Sequence, residues 1–521
     1  MGQDNTNFSP VRAYFWPIHM HELKKFLPLF FLAFFIGFNY NILRNMKDAL
    51  LVTAESSGAE VLPFIKVWGI VPGALLMTFI YSRLNNHLTR DRVFYAMVAI
   101  FLAFFSIFTF VIYPFRDVLH LHGTANFLQA HLPAGFKGLI AMLRYWTFSS
   151  FYIMSELWSS AILSMLFWGF ANEVTRLGEA KRFYGLIAIG LNLAAINSGQ
   201  IAVFLTGNFM HTHFKLVADQ WHQAVIMLTV VVLLSGLSIM AIYRHLTKNV
   251  LPHTDGETVA SRKKEKIKMS MRENFTFLAK SRYLLYIAII VLAYNVVINL
   301  IEVIWKDQVR QLYPNPCDFT AYMSNVTTIT GVISFFMSLL ISGQVIRRFG
   351  WTWGALFTPI VLFFTSAGFF FFFFGGKTLF GVLTMLGTSP LALVVLFGST
   401  QNCLARASKF TLFDATKEMA FIPLSVEGKL KGKAAIDGVG SRLGKSGGSL
   451  IHQGLLLVFS TISASAHIVA AILFGVIIFW LAAVVSLGKQ FKQMTTPSAE
   501  PEPETAVSKV GETVTNSPQP S

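Results

Sequence analysis

Apolar and polar positions alternate along this chain in long blocks. Runs of about 20 apolar residues, each enough to cross a bilayer as a helix, recur at 26–43, 61–84, 93–113, 145–171, 183–205 and 224–243. A polar stretch follows from 244 to 282, with ten basic residues against four acidic. The apolar blocks then resume at 284–305, at 326–346, around six consecutive phenylalanines at 369–374, at 379–404, in a glycine-rich stretch from 437 onward, and at 467–487. This pattern predicts an all-α membrane protein of about twelve transmembrane helices. It divides into an N-terminal segment (1–25), a six-helix half (26–243), a basic linker (244–282), a second six-helix half (283–488) and a tail (489–521). The tail is rich in Pro, Glu, Ser and Thr and is predicted to be disordered. No small-residue cleavage site follows the first apolar run, so that run reads as an uncleaved span.

The two halves repeat one another. At an offset of 259, Lys47-Asp48 falls on Lys306-Asp307, each pair closing the first helix of its half. At an offset near 260 the short basic turns after the second and eighth runs coincide, and at 248 Asn197-Ser198-Gly199 falls on Lys445-Ser446-Gly447. Parallel six-helix halves joined by a linker describe the major-facilitator architecture, whose site lies between the halves near the midplane.

Charge changes the picture next. The chain carries a net charge of +16, a balance that could suggest nucleic acid. Placed on the predicted spans, however, the 42 lysines and arginines fall 30 on one side of the membrane and 9 on the other, with Lys66, Arg442 and Lys445 within helices. That is the positive-inside bias. The basicity therefore reports topology, with both ends of the chain in the cytoplasm and no nucleic-acid partner. Cys317 and Cys403 lie far apart and make no metal-type spacing, so neither redox nor metal chemistry is implied and no cofactor is expected.

Six charges fall inside or at the ends of the apolar runs: Lys47, Lys66, Glu156, Glu302, Arg442 and Lys445. A lysine in hydrocarbon costs roughly 2.5–3.5 kcal/mol even on gentle insertion scales, and by default marks a functional site. The stretch Asp437 to Ser449 places Arg442 and Lys445 among five glycines, where a ligand can approach the backbone closely. Its Gly-Lys-Ser letters are not a phosphate loop, because Val439 stands where that motif needs glycine and no strand precedes it. A cavity with more cation than acid suits a multiply charged anion, and phosphates are well served by lysines and an arginine fork. The blander reading is a silent salt-bridge network of two carboxylates and two lysines. In the active reading, the carboxylates hold the lysines when the site is empty and release them to substrate.

From Phe15 to Leu487 the chain resembles the nucleotide transporters of obligate intracellular bacteria and plastids, the ATP/ADP translocases. The resemblance rests on Trp16-Pro17-Ile18-His19, Asn39 through Val52 with Lys47-Asp48, Gly58-Ala59-Glu60 with Pro63-Phe64-Ile65-Lys66, Ser155-Glu156-Leu157-Trp158, Phe167 through Asn172, Asp414 through Ala420, and Leu443-Gly444-Lys445-Ser446-Gly447-Gly448. The resemblance implies that Lys47, Glu156, Glu302 and Lys445 are needed for transport. It also implies exchange of external ATP for internal ADP by alternating access without hydrolysis, with phosphate balancing the charge. Other members take up various ribonucleotides, some with protons. An amide such as Asn402 can pair with the N6/N7 edge of adenine or serve only to pack helices.

The resulting expectation is an ATP/ADP antiporter in a bacterial inner membrane, with ATP, ADP, phosphate or other nucleotides as substrates and the lipid bilayer as surroundings. One rival is a proton-coupled importer of nucleoside triphosphates in which Glu156 or Glu302 carries the proton. Another is a membrane-embedded enzyme acting on phosphorylated substrates. No paired metal-binding acids, correctly spaced phosphate loop or long extramembrane region favours it, so the chain reads as a transporter and not an enzyme.

Overall fold

A computed structural model describes residues 16–251, 281–340, 342–385, 387–433 and 441–495, together with Ser9, Arg12 and Ile436. The expected linker beyond 251 and the expected tail beyond 495 lie outside the described residues. The described chain is helical throughout. The first six long helices are α1 (Leu23–Val52), α2 (Val61–His87), α3 (Arg90–Leu119), α4 (Trp146–Val174), α5 (Leu177–Thr206) and α6 (Gln220–Val250). The second six are α7 (Arg282–Leu312), α8 (Pro316–Leu340), α9 (Ser342–Met385, broken at Gly350), α10 (Pro390–Ser408), α11 (Ser441–Phe459) and α12 (Ile462–Thr495). Among the described residues, nine helices are long and apolar enough to cross a membrane. α8, α10 and α11 complete the twelve.

Several boundaries differ from the sequence reading, each for a local reason. α1 runs nine residues past the expected end at 43, and α7 seven past 305. Their last turns are polar, and those polar groups find partners on other helices. α8 begins at Pro316, where Asn315 caps the first turn by accepting from the Cys317 N–H at 2.8 Å. α9 takes up the apolar residues from 379 to 385, which the sequence pattern places in the tenth span. Gly387, at φ 71°, then turns the chain, and Ser389 caps α10 ahead of Pro390. The stretch from 406 to 433, expected as a loop, is helical at Lys409–Phe413, Asp414–Ala420 and Val426–Lys433.

Helices of the first six meet those of the second six along two seams. α5 packs on α8, with Gly199 against Ser324 and Thr328, and Gly331 against Asn192 and Ala195. α2 packs on α11. Small residues let these backbones approach closely, the usual way helices associate in a bilayer. The polar links between the two sixes gather toward the face opposite the chain ends. Asn45 of α1 donates to Ser324 and Thr327 of α8 at 3.1 and 3.2 Å, Gln200 of α5 donates to Thr328 at 3.0 Å, and Gln453 of α11 donates to the Pro63 carbonyl at 2.9 Å. The α3–α4 connection, helical at His122–His131 and Lys137–Arg144, covers this face, setting Gly135 on the backbone of α11 and Gly138 on Glu60.

Candidate functional site: a chain of alternating charge

At the heart of this closed face six ionised side chains from four helices join end to end. Glu156 of α4 lies 3.4 Å from Lys47 of α1, whose ammonium is 3.2 Å from Asp48 beside it. Asp48 reaches Lys306 of α7 at 2.8 Å. Lys306 also holds Glu302, one turn back on its own helix, at 2.9 Å, and Glu302 holds Lys66 of α2 at 2.9 Å. The signs alternate from one end to the other, so three acids and three bases cancel. Two links, Asp48–Lys306 and Lys66–Glu302, tie α1 and α2 to α7. Lys66 also donates to Asn299 of α7 at 2.8 Å.

The surroundings explain how the charges survive. An isolated ion in this interior would cost several kcal/mol, which a lone pair repays only with excellent geometry and further hydrogen bonds. Here each inner member has a counter-ion on both sides, and Lys47 also stands over the Tyr152 ring, 3.6 Å from its centre. α2 carries Lys66 within a π-helical segment, Ile65–Ile70, because Pro72 lacks the N–H that would close the preceding turn. α4 opens into a similar segment, Ser159–Phe167, just after Glu156. The middle of the chain, Lys47, Asp48 and Lys306, is at most 2% exposed. Its ends are wetter, with the Glu156 and Lys66 side chains 32% and 17% exposed. An anion can therefore compete at the ends before the middle opens.

Two guanidiniums stand beside this chain. Arg406 of α10 comes within 3.9 Å of Glu302. Arg44 of α1, half-buried one turn before Asp48, has no hydrogen-bond or ion-pair acceptor among the described residues. A guanidinium inside a helical bundle without a carboxylate is an open anion contact with a bidentate fork.

Of the residues singled out from the sequence, the structure joins Lys47, Glu156 and Glu302, with Lys66. The side chains of Arg442 and Lys445 lie outside the described residues. Their helix is well placed: Gly444 and Gly448 pack on Asn295 and Asn299 of α7, and His452 hydrogen-bonds the Leu300 carbonyl of α7 at 2.9 Å. Position 445 shares a helix face with 449 and 453, and Gln453 touches α2. Asn402 does not join the chain of charges. It is buried on α10, and its side-chain oxygen has no hydrogen-bond partner among the described residues. Asp48, Lys306, Arg44 and Arg406 were missed, although Lys306 repeats Lys47 at the 259 offset and could have been found by that symmetry. Among the described residues no cluster of three metal-binding side chains occurs.

Comparison with known proteins adds an independent line. A family profile described as "TLC ATP/ADP transporter" matches residues 1–491. "ADP,ATP carrier protein 2" of Chlamydia pneumoniae is 49% identical over 498 residues, covering 93% of this chain and 92% of that protein. The chloroplastic "ADP,ATP carrier protein 2" of Arabidopsis thaliana is 39% identical over 478 residues, covering 92% of this chain and 76% of that protein. Among solved structures, a bacterial homologue of the iron transporter ferroportin in its inward-facing state matches with a TM-score of 0.53 at 13% identity, covering 92% of this chain and 99% of that one. A D-xylose–proton symporter matches at 0.51 with 13% identity, covering 90% and 98%. These two likenesses concern the fold alone, and they bear out the major-facilitator-like architecture.

Proposed function

The chain belongs to the TLC ATP/ADP transporter family, and from that premise we propose that it takes in ATP in exchange for ADP by alternating access, with the alternating charge chain as its switch. It is a multi-pass membrane transporter of ATP and ADP, not an enzyme. The observation that carries the mechanism is the pair of cross-links where the first and second six helices meet, the buried Asp48–Lys306 and the half-buried Lys66–Glu302. Nucleotide phosphates entering from the side of the chain ends meet Arg44, Arg406 and Lys66 first. As they draw Lys66 from Glu302, the carboxylate turns fully to Lys306, which loosens Asp48. Both links between α1–α2 and α7 then weaken together, and the closed face can part. Lys47, Glu156, Glu302 and Lys445 act in this reading as transport residues, with Arg442 beside them, and Asn402 as a buried amide near the base.

The same reading sets the protein in a bacterial inner membrane with both chain ends in the cytoplasm, supported by the 30-to-9 distribution of basic residues. It keeps two six-helix halves, 26–243 and 283–488, joined by the 244–282 linker. ATP for ADP moves one net charge per cycle, worth about 2.3 kcal/mol across 100 mV, so a co-moving phosphate would balance it. The test is uptake of labelled ATP by liposomes holding the pure protein. Uptake is expected with ADP inside and not with buffer alone. Uptake into empty liposomes that follows an imposed pH gradient would replace exchange with proton-coupled import.

A further inference from the structure

A second anion-binding place lies far from the charge chain, on the outer surface of the bundle. Between the start of α3 and the end of α6 there is a cavity of about 520 Å³ lined by Tyr95, Met240, Ala241, Arg244 and Lys248. Arg244 and Lys248 are one helical turn apart and exposed on the same face. Like charges at this spacing repel, yet neither has an acidic partner among the described residues. The nearby acids are already engaged: Asp91 accepts from the Tyr243 hydroxyl at 2.7 Å, and Glu173 pairs with Arg90 at 2.5 Å. Tyr243 stacks on Phe94 with ring centres 3.8 Å apart, which fixes α3 on α6 and holds Tyr95 at the rim.

The surface leading to the cavity says what the anion is attached to. On α6, Val230, Leu234 and Leu237 are 39%, 59% and 58% exposed. With exposed Ala241 they form one apolar lane at helical spacing that ends at Arg244 and Lys248. An apolar lane finishing in two cations without an acidic partner among the described residues, at the end of a membrane span, has the polarity of a phospholipid. Basic pockets between helices at this level take anionic headgroups. We propose that this cavity binds the phosphate headgroup of an anionic phospholipid, with an acyl chain along the 230–241 lane. The assignment is independent of nucleotide exchange.

The test is native mass spectrometry of the delipidated full-length protein, supplied with phosphatidylglycerol or phosphatidylcholine. Phosphatidylglycerol adducts are expected to exceed phosphatidylcholine adducts by about fivefold per contributing cation. Arg244→Gln/Lys248→Gln should erase the preference. Ala241→Trp, which fills the lane and keeps both charges, should weaken the adduct too. ADP/ATP exchange by each variant in liposomes reports folding. Equal binding of the two lipids, a preference that survives the double substitution in an exchanging protein, or adducts unchanged in Ala241→Trp would overturn the proposal. So would displacement of phosphatidylglycerol by inorganic phosphate at equal concentration, which would make the site one for free anions.

Discussion

Lys306 stands between two carboxylates, 2.8 Å from Asp48 and 2.9 Å from Glu302, and is 2% exposed. Lys306→Gln leaves those acids facing each other with no cation between them, at a cost of about 3 kcal/mol. We expect a lower melting temperature in detergent and loss of ADP/ATP exchange. Adding Asp48→Asn removes the repulsion, and the two amides can pair, so stability should return while exchange stays absent. An exchanging double variant would show that the charges serve only the fold. The sequence revealed Glu156 and Glu302 because charges inside apolar runs are conspicuous, and Lys47 because it stands at the end of one and repeats in the second half. Asp48, Lys306, Arg44 and Arg406 escaped because the spans were ended where polar residues begin. Polar groups partnered across helices let α1 and α7 continue through them.

α11 carries position 445 and meets α7 through glycines. A Cβ at Gly448 would come within 2.8 Å of the Asn299 side chain, so α11 would have to move away from α7. Gly447 has open space around its Cβ position. Gly448→Val is therefore expected to lower exchange at least about tenfold, since displacements near 1 Å can cost that much or more, while Gly447→Ala exchanges normally. Equal rates for both would mean that the fit of α11 on α7 is immaterial to transport. The six glycines from 438 to 454 marked this helix in the sequence, but which of them face α7 depends on packing and could not be read from spacing alone. Other element boundaries were readable and overlooked. Asn315-Pro316 is a helix start, and Gly387 through Pro390 is a turn with the next cap, but the averaged apolar signal of the neighbouring runs hid both.

Across the whole molecule the twofold plan was legible in the repeat of Lys47-Asp48 at Lys306-Asp307. Where the two sixes touch was not, because that depends on pairs such as Asn45 with Ser324 that lie 279 residues apart. Their polar links gather at one face, and exchange by alternating access requires that face to part on every cycle. The most direct measurement is exchange by Asn45→Cys/Ser324→Cys, whose side chains meet at 3.1 Å in the native pair, in a chain whose own free cysteines are replaced, Cys317→Ala and Cys403→Ala. Oxidation to the disulfide should stop labelled ATP uptake into ADP-loaded liposomes, and reduction should restore it, with each single-cysteine variant indifferent to both. Undiminished exchange by fully cross-linked protein would contradict the account, because substrate would then cross without this seam opening.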